Sequence, residues 1–118
     1  MHFNSTKMCD VVCCLLVPTI SPNVTSAFNT SSTSINLTWS EVPLEHINGE
    51  MKGYVVRYKE LNESYSNSKN INISNCSIVL QNLKIYTAYE ISVAAASGAG
   101  AGKWSVPVIV VTDLDGKS

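Results

Sequence analysis

The clearest structural signal in this 118-residue chain lies in residues 80–95, which read LQNLKIYTAYEISVAA. From Tyr89 to Ala95 every second side chain is apolar, and the positions between are polar or small. This period of two is typical of a β-strand with one buried face. We therefore predict a strand here, with Tyr89 and its alternates facing the interior.

The same alternation recurs on both sides of this stretch. Residues 35–39, 54–59 and 78–81 repeat it, and residues 106–112 form a more uniformly apolar run that Pro107 interrupts, which suits a sheet edge. No window sustains the spacing of an amphipathic helix. Turn-like segments separate the runs, namely residues 30–34, 43–52, 62–75 and 97–103. Short strands without helices predict an all-β sandwich or barrel.

Packing must hold such a domain together, because the cysteines do not form a framework within it. Three of the four cysteines precede residue 15, and only Cys76 lies among the strands. Cys76 shares its alternation phase with Ile78 and Leu80, which predicts an inward small hydrophobe; the alternative is a reactive or intermolecular thiol. Trp39, the largest inward side chain of its strand, is the predicted centre of the core.

Four stretches resemble one known family, the fibronectin type III domain. They are SINLTW (34–39), GYVVRY (53–58), LQNLKIYTAYEISVAA (80–95) and GAGKWSVPVIVVT (100–112). Pro22 and the following NVTSAF are similar to the opening strand of that family. The resemblance implies a seven-stranded immunoglobulin-like β-sandwich over residues 21–113, with residues 1–20 as an N-terminal segment of open role and 114–118 as a C-terminal linker.

The resemblance also implies roles for core residues. Tyr54, Val56 and Tyr58 become inward residues of the third strand, and Trp39 becomes the core tryptophan of the second. Leu83 and Tyr89 become the anchors of the corner between the fifth and sixth strands, where the tyrosine hydroxyl bonds to backbone upstream. Ile85 stands where the family usually has proline, which weakens the rigidity of the corner but leaves both anchors in place.

The N-terminal segment allows three interpretations. Residues 11–17 read VVCCLLV, an apolar run that is short for a signal peptide and is preceded by Asp10. It is otherwise a remnant of a preceding module, or buried structure that the pattern does not reveal. We expect residues 1–19 to pack poorly. The flanks resemble linkers between successive repeats, which implies neighbouring repeats in a longer protein.

Composition and motifs exclude several function classes. The net charge is −1 with a single arginine, unlike a nucleic-acid binder, and no apolar run approaches the length of a membrane span. The SGAGAGK loop lacks Walker A geometry, because Ser97 replaces the first glycine and Trp104 replaces the hydroxyl residue after the lysine. With His2 and His46 as the only histidines, we predict no enzyme, no cofactor and no metal site.

Asparagine carries the positive functional signal. Seven of the eleven asparagines begin an N-x-S/T acceptor sequon, more than the Ser and Thr content would produce by chance. Besides Asn4, the candidate glycosylation sites are Asn23, Asn29, Asn36, Asn62, Asn72 and Asn75. The alternative is that strands favour Thr and loops favour Ser, which creates sequons without use. N-glycans require the secretory pathway, so the pattern indicates an extracellular domain, secreted or in a receptor ectodomain.

We therefore expect an extracellular protein-binding or spacer module from a cell-adhesion or receptor ectodomain, with a protein partner. The alternatives are an intracellular structural fibronectin type III repeat or a cytokine-receptor-like domain, for which Trp104-Ser105 supplies only half of the WSxWS motif. The third, sixth and seventh strands lack sequons and share a sheet in the family. Their outer face is the candidate interaction face, with Val55, Arg57, Lys59, Ser92, Ala94 and Ala96.

Overall fold

The computed structural model describes residues 18–43, 45, 47 and 50–114, and within them the chain is built of antiparallel strands. The strands are β1 (Val24–Ser31), β2 (Ser34–Trp39), β3 (Met51–Glu60), β4 (Lys69–Ile73), β5 (Ser77–Leu80), β6 (Ala88–Ser97), β7 (Gly100–Trp104) and β8 (Val108–Val111). A short 3-10 helix, Tyr65–Asn67, lies between β3 and β4.

Two sheets form the predicted sandwich. One has three strands in the order β1-β2-β5; the other has the order β4-β3-β6-β7, with β8 also paired to β6. Strand β7 lies mostly within residues 97–103, which the sequence predicted as a loop, and residues 105–107 separate it from β8, where Pro107 cannot donate to a strand ladder. Ser105 bridges the break, because its hydroxyl accepts from the Val93 N–H at 2.9 Å and its own N–H donates to the Val93 carbonyl.

Strand β4 differs from the sequence-based expectation, which treated residues 62–75 as a loop. Ile71 and Ile73 alternate along β4 and pair with Val56 and Tyr54 of β3, so that both isoleucines pack against the core. The many asparagines of this segment favoured a loop prediction, although the inward positions of the strand are apolar.

The core lies between the sheets and is made of the inward sides of β2, β3 and β6. Within it the rings of Trp39 and Tyr54 meet edge to face, with their centres 5.7 Å apart. The Tyr54 hydroxyl accepts from the Val42 N–H at 3.1 Å, and burial raises the pKa of Tyr54. The Trp39 Nε1–H has no hydrogen-bond partner among the described residues. The other core side chains include Val56, Leu83, Tyr89, Ile91 and Val93, with Tyr58 packed against them.

The corner between β5 and β6 joins both sheets. The Tyr89 hydroxyl accepts from the Lys84 N–H at 2.8 Å, and the Leu83 N–H donates to the Thr33 carbonyl. Buried Thr112 completes the corner, since its hydroxyl donates to the Lys84 carbonyl at 2.7 Å and accepts from the Thr87 N–H at 2.9 Å. These bonds hold the corner although Ile85 replaces the proline of the family.

The N-terminal boundary is the main correction to the sequence-based domain limits. Pro18 is buried, and its carbonyl accepts from the Lys103 N–H at 3.4 Å. The expectation that residues 1–19 pack poorly is wrong for Pro18, because the proline docks against β7. Residues 1–17, with their three cysteines and Asn4, lie outside the described residues, as do His46, the Asn48-Gly49 pair and residues 115–118.

Candidate functional site

The six residues of the predicted interaction face do share one side of the five-stranded sheet. Strand β3 runs antiparallel to β6, so that Val55 pairs with Ala94 and Arg57 pairs with Ser92. Cross-strand partners point to the same face of a sheet. The remaining two residues of the face, Lys59 and Ala96, continue the alternation at its two ends.

The face is not the bare apolar surface that alternation predicted. Lys59, Ser92 and Ala94 are only 7%, 3% and 0% exposed, so they cannot present themselves directly to a partner. Trp104 explains part of this burial, because it is the β7 partner of Ala94 and brings a large ring to the same face. The expectation of a free surface at these three residues is therefore wrong.

Two aromatic rings and one arginine lie together on the solvent side of this face. The Arg57 guanidinium carbon lies 4.1 Å from the centre of the Trp104 ring and 5.1 Å from that of the Tyr65 ring. Both distances suit a cation–π contact. Arg57 therefore lies in contact with two rings, one from β7 and one from the 3-10 helix after β3.

The ion pair between Lys59 and Glu90 lies next to these rings on the same face. The Lys59 Nζ lies 3.2 Å from a Glu90 carboxylate oxygen and donates to the carbonyls of Leu61 and Glu63 at 3.1 and 3.0 Å. The Tyr65 hydroxyl donates to the other oxygen of Glu90. The hydrogen bond from Tyr65, with help from Lys59, holds the pKa of Glu90 below its usual value, while the same bond raises the pKa of Tyr65.

We call the connected set Trp104, Arg57, Tyr65, Lys59 and Glu90 the aromatic–charged layer. Its outermost side chain is Tyr65, which is 54% exposed, and Arg57 and Trp104 are half-buried. Tyr, Trp and Arg are the residue types that dominate binding energy at protein interfaces. The layer is preorganised by its own contacts, so a partner that binds it would not have to order these side chains.

Sequence reasoning missed the two aromatic members of this layer. In the sequence Trp104 stands out only as half of the WSxWS motif, and Tyr65 lies within residues 62–75, which the sequence predicts as a loop. Residues 100–104 (GAGKW) show no apolar alternation that marks the face of Trp104, because that face is set by its pairing with Ala94 in the folded sheet. Nothing in the local sequence indicates the position of Tyr65, because it depends on how the connection between β3 and β4 folds back.

The sequons are distributed unevenly over the two sheets. Asn36 lies in the middle of β2, Asn29 lies in β1, and Asn23 and Asn75 precede β1 and β5. Asn62 follows β3. The asparagines 23, 62, 72 and 75 are exposed, whereas 29 and 36 are half-buried.

Asn72 brings an acceptor site to the sheet of the interaction face, on a strand that the sequence analysis did not assign to that sheet. Strand β4 belongs to this sheet, and Asn72 pairs with Val55, so both lie on the same face. A glycan on Asn72 would therefore stand at the edge of the face rather than on the opposite sheet.

Other features bear on the excluded chemistries. Cys76 is a free, half-buried thiol that packs against the core. The described part of the chain holds no group of three or more His, Cys, Asp or Glu side chains arranged to bind a metal ion. Within the same residues, every helix is too short or too polar to cross a membrane.

A cleft of about 310 Å³ between β3 and the corner contains the Lys84–Glu60 ion pair, whose Nζ and carboxylate oxygen are 2.8 Å apart.

Comparison with known proteins identifies related domains. The family model for the fibronectin type III domain matches residues 18–111. Tyrosine-protein phosphatase Lar of Drosophila melanogaster is 36% identical over 99 residues, which covers 84% of this chain and 5% of the phosphatase. Contactin-3 of Mus musculus is 35% identical over 97 residues, or 80% of this chain and 9% of contactin-3. The chain thus spans less than a tenth of these relatives.

Solved structures agree with these relationships. The crystal structure of the chicken CNTN1 FN1-FN3 domains superposes with a TM-score of 0.74 at 30% identity, covering 81% of this chain and 33% of that one. The fn3 domain of human contactin 1 in solution gives a TM-score of 0.73 at 25% identity, covering 82% and 80%. The two-sheet architecture described above is therefore shared with the CNTN1 and contactin 1 domains.

Proposed function

Because this chain belongs to the fibronectin type III family, we propose that it is an extracellular module of a cell-adhesion or receptor protein, which binds a protein partner and adjoins neighbouring repeats. The relatives support this role, since they include tyrosine-protein phosphatase Lar, contactin-3 and the cell adhesion molecule Dscam1 of Drosophila melanogaster. The single observation that carries the extracellular assignment is the sequon density, seven of eleven asparagines. No catalytic, cofactor or metal role is proposed.

The extracellular assignment is tested on the native protein. An antibody against this domain should label intact cells of the source organism as strongly as permeabilised cells. The native protein should also migrate faster after treatment with an N-glycosidase. Labelling only after permeabilisation, with no change in migration, would favour the intracellular structural-repeat alternative.

We further propose that the partner binds the aromatic–charged layer. This surface offers an exposed tyrosine, a half-buried tryptophan and an arginine, and a rim at Val55 and Ala96 that is only partly buried. Lys59 and Glu90 are already paired with each other, so the desolvation of an unpaired charge at these two residues would not oppose binding, and the Arg57 guanidinium lies against two aromatic rings.

The binding test uses two matched surface variants in the full ectodomain. Tyr65→Ala removes a side chain that is 54% exposed on the aromatic–charged layer, and Val79→Ser changes one that is 43% exposed on the three-stranded sheet. We expect Tyr65→Ala to weaken partner binding at least tenfold, about 1.4 kcal/mol, and Val79→Ser to leave it unchanged. The opposite pattern would place the partner on the other sheet.

A spacer role is the second candidate. It is favoured by exposed apolar side chains at the end of the domain where the chain continues beyond β8. Tyr86, Ile85 and Leu114 are 69%, 47% and 63% exposed there, and the Tyr86 N–H donates to the Asp113 carbonyl at 2.8 Å. Exposed apolar side chains beside a chain exit suit contact with a following module. If deletion of the module abolishes adhesion while every surface variant preserves it, the spacer role is supported.

A further inference from the structure

We propose that an N-linked glycan on Asn36 packs over the side chains of Phe28 and Val79 and serves as the cover of the outer face of the three-stranded sheet. This inference rests on the extracellular assignment proposed above, because glycans of this kind are attached in the secretory pathway. It goes further by giving one acceptor site a structural task and naming the protein surface that the sugar contacts.

The first observation is that the three-stranded sheet lacks charge. Strands β1, β2 and β5 are fully described, and none of their residues is Asp, Glu, Lys or Arg. Both β1 and β5 are edge strands of their sheet. Solvent-facing sheets and edges usually carry charges, Lys above all, which prevent pairing with another chain. The three strands therefore supply no charge of their own to the outer face of this sheet.

The second observation is the row in which its exposed apolar residues lie. Phe28 of β1 pairs with Asn36, and Asn36 pairs with Val79 of β5, so the three side chains form one line across the outer face. Phe28 is 48% exposed and Val79 is 43% exposed. Large apolar side chains thus stand on this face on both sides of a sequon asparagine.

The neighbouring row contrasts with this one. Thr38 of β2 lies between Ser26 and Ser77, all of them small hydroxyl residues. Thr38 is also the third residue of the Asn36 sequon and lies on the same face. The face therefore has room for a bulky group around Asn36, and a phenyl ring and an isopropyl group to pack against it.

A sugar linked to Asn36 would meet an apolar side chain on each side, Phe28 and Val79. Cross-strand neighbours have Cβ atoms about 5 Å apart, so the first sugar ring linked to Asn36 lies beside both apolar side chains. Its C–H groups can contact the face of the Phe28 ring, while its hydroxyls stay in water. The apolar area of the row is then removed from solvent without any charge on the protein.

The other nearby sequons cannot do the same. Asn29 pairs with Ile35, whose side chain is fully buried in the core, so Asn29 lies on the opposite side of β1 from Phe28. Asn72 belongs to the other sheet. The inference therefore assigns the cover to Asn36 alone and provides Asn72→Gln as a matched control variant.

The test uses the full chain secreted from human cells with an added leader. Occupancy at each asparagine is measured by mass spectrometry, and Tm and the monomer fraction are measured for four forms. These forms are the parent, Asn36→Gln, Phe28→Ser and Phe28→Ser with Asn36→Gln. A direct readout comes from NMR, in which the protons of the first sugar should shift upfield because of the ring current of Phe28.

We expect Asn36→Gln to lower Tm by about 4 °C, the scale of one modest packing contact in a domain of this size, and to reduce the monomer fraction. In the Phe28→Ser background the same change should lower Tm by less than half as much, and the upfield shift should vanish. Asn72→Gln should leave both quantities unchanged.

Three results would overturn the inference. The first is a bare Asn36 on material whose other asparagines carry glycans, which leaves the extracellular proposal intact. The second is an Asn36→Gln effect that is equal with and without Phe28. The third is a dimer of the glycosylated parent that forms through this face. If every asparagine of the secreted chain is bare, the support for the extracellular proposal is lost as well.

Discussion

Gly102 tests whether Pro18 belongs to the folded domain. A Cβ added at Gly102 would lie 2.2 Å from the Pro18 carbonyl oxygen and 2.7 Å from the Pro18 Cβ. Real side chains do not approach so closely, so either β7 or the N-terminal segment must move. The φ angle of Gly102 is not positive, so the strain would come from this contact alone. Overpacking of this kind costs about 1–3 kcal/mol.

The assay is urea denaturation of four proteins, in which intrinsic tryptophan fluorescence reports unfolding. They are the full chain and a chain that begins at Ser21, each with and without Gly102→Ala. We expect the truncation itself to cost about 1–2 kcal/mol, because it exposes the small apolar area that Pro18 buries. In the truncated chain Gly102→Ala should be nearly neutral, since its clash partner is gone.

Gly98→Ala is the matched control in the same hairpin, because its added Cβ would meet only the Lys52 Cε, at 3.8 Å. It should change the free energy of unfolding by less than about 0.5 kcal/mol in both chains. If Gly102→Ala costs as much in the truncated chain as in the full one, the docking of Pro18 is not the cause. A neutral Gly102→Ala in the full chain would show that Pro18 is not held against β7.

Three further predictions concern the core, the corner and the aromatic–charged layer. Trp39→Ala should cost about 3–5 kcal/mol, measured by thermal denaturation, because it empties the centre of the core; a cost below 1 kcal/mol would contradict this. Thr112→Val preserves the side-chain shape but leaves the Thr87 N–H without its acceptor, and it should lower the free energy of unfolding, measured in urea, by about 1–3 kcal/mol. Tyr65→Phe should raise the pKa of Glu90 in a carboxyl NMR titration, since the lost hydrogen bond is the main cause of the lowered value. Because folding lowers the pKa of Glu90, its carboxylate stabilises the folded state above the usual pKa of 4.5, and this contribution is lost as the pH falls through the folded pKa. Tyr65→Phe should therefore make the free energy of unfolding depend less on pH in this acidic range.

Local pattern was sufficient to predict much of the fold. Period-two alternation correctly placed the strands that became β2, β3, β5 and β6, because each has one face buried and a one-residue shift would expose its apolar set. The resemblance to the family correctly implied the sandwich. The Tyr89 corner also lies where the resemblance placed it, with its hydroxyl bonded to backbone upstream.

Elements that depend on a distant partner were not predictable in the same way. Strand β4 forms because the edge of β3 is free to pair with it, a condition that the Asn-rich residues 62–75 do not record. Pro18 is buried because Gly102, far along the chain, has no side chain to exclude it. Lys59 looked like an exposed edge cation, but the loop after β3 returns carbonyl groups and Tyr65 to its amine.

The sequence by itself determined the strand periodicity, the two-sheet core around Trp39 and the positions of the acceptor sequons. Each of these follows from the order of apolar and polar residues along one strand or from a local motif. The tertiary structure alone decided that Trp104 and Tyr65 would enclose Arg57, and that Phe28, Asn36 and Val79 would form one row. Both arrangements join residues from different strands or loops, and cross-strand register is a property of the folded sheets rather than of any single segment.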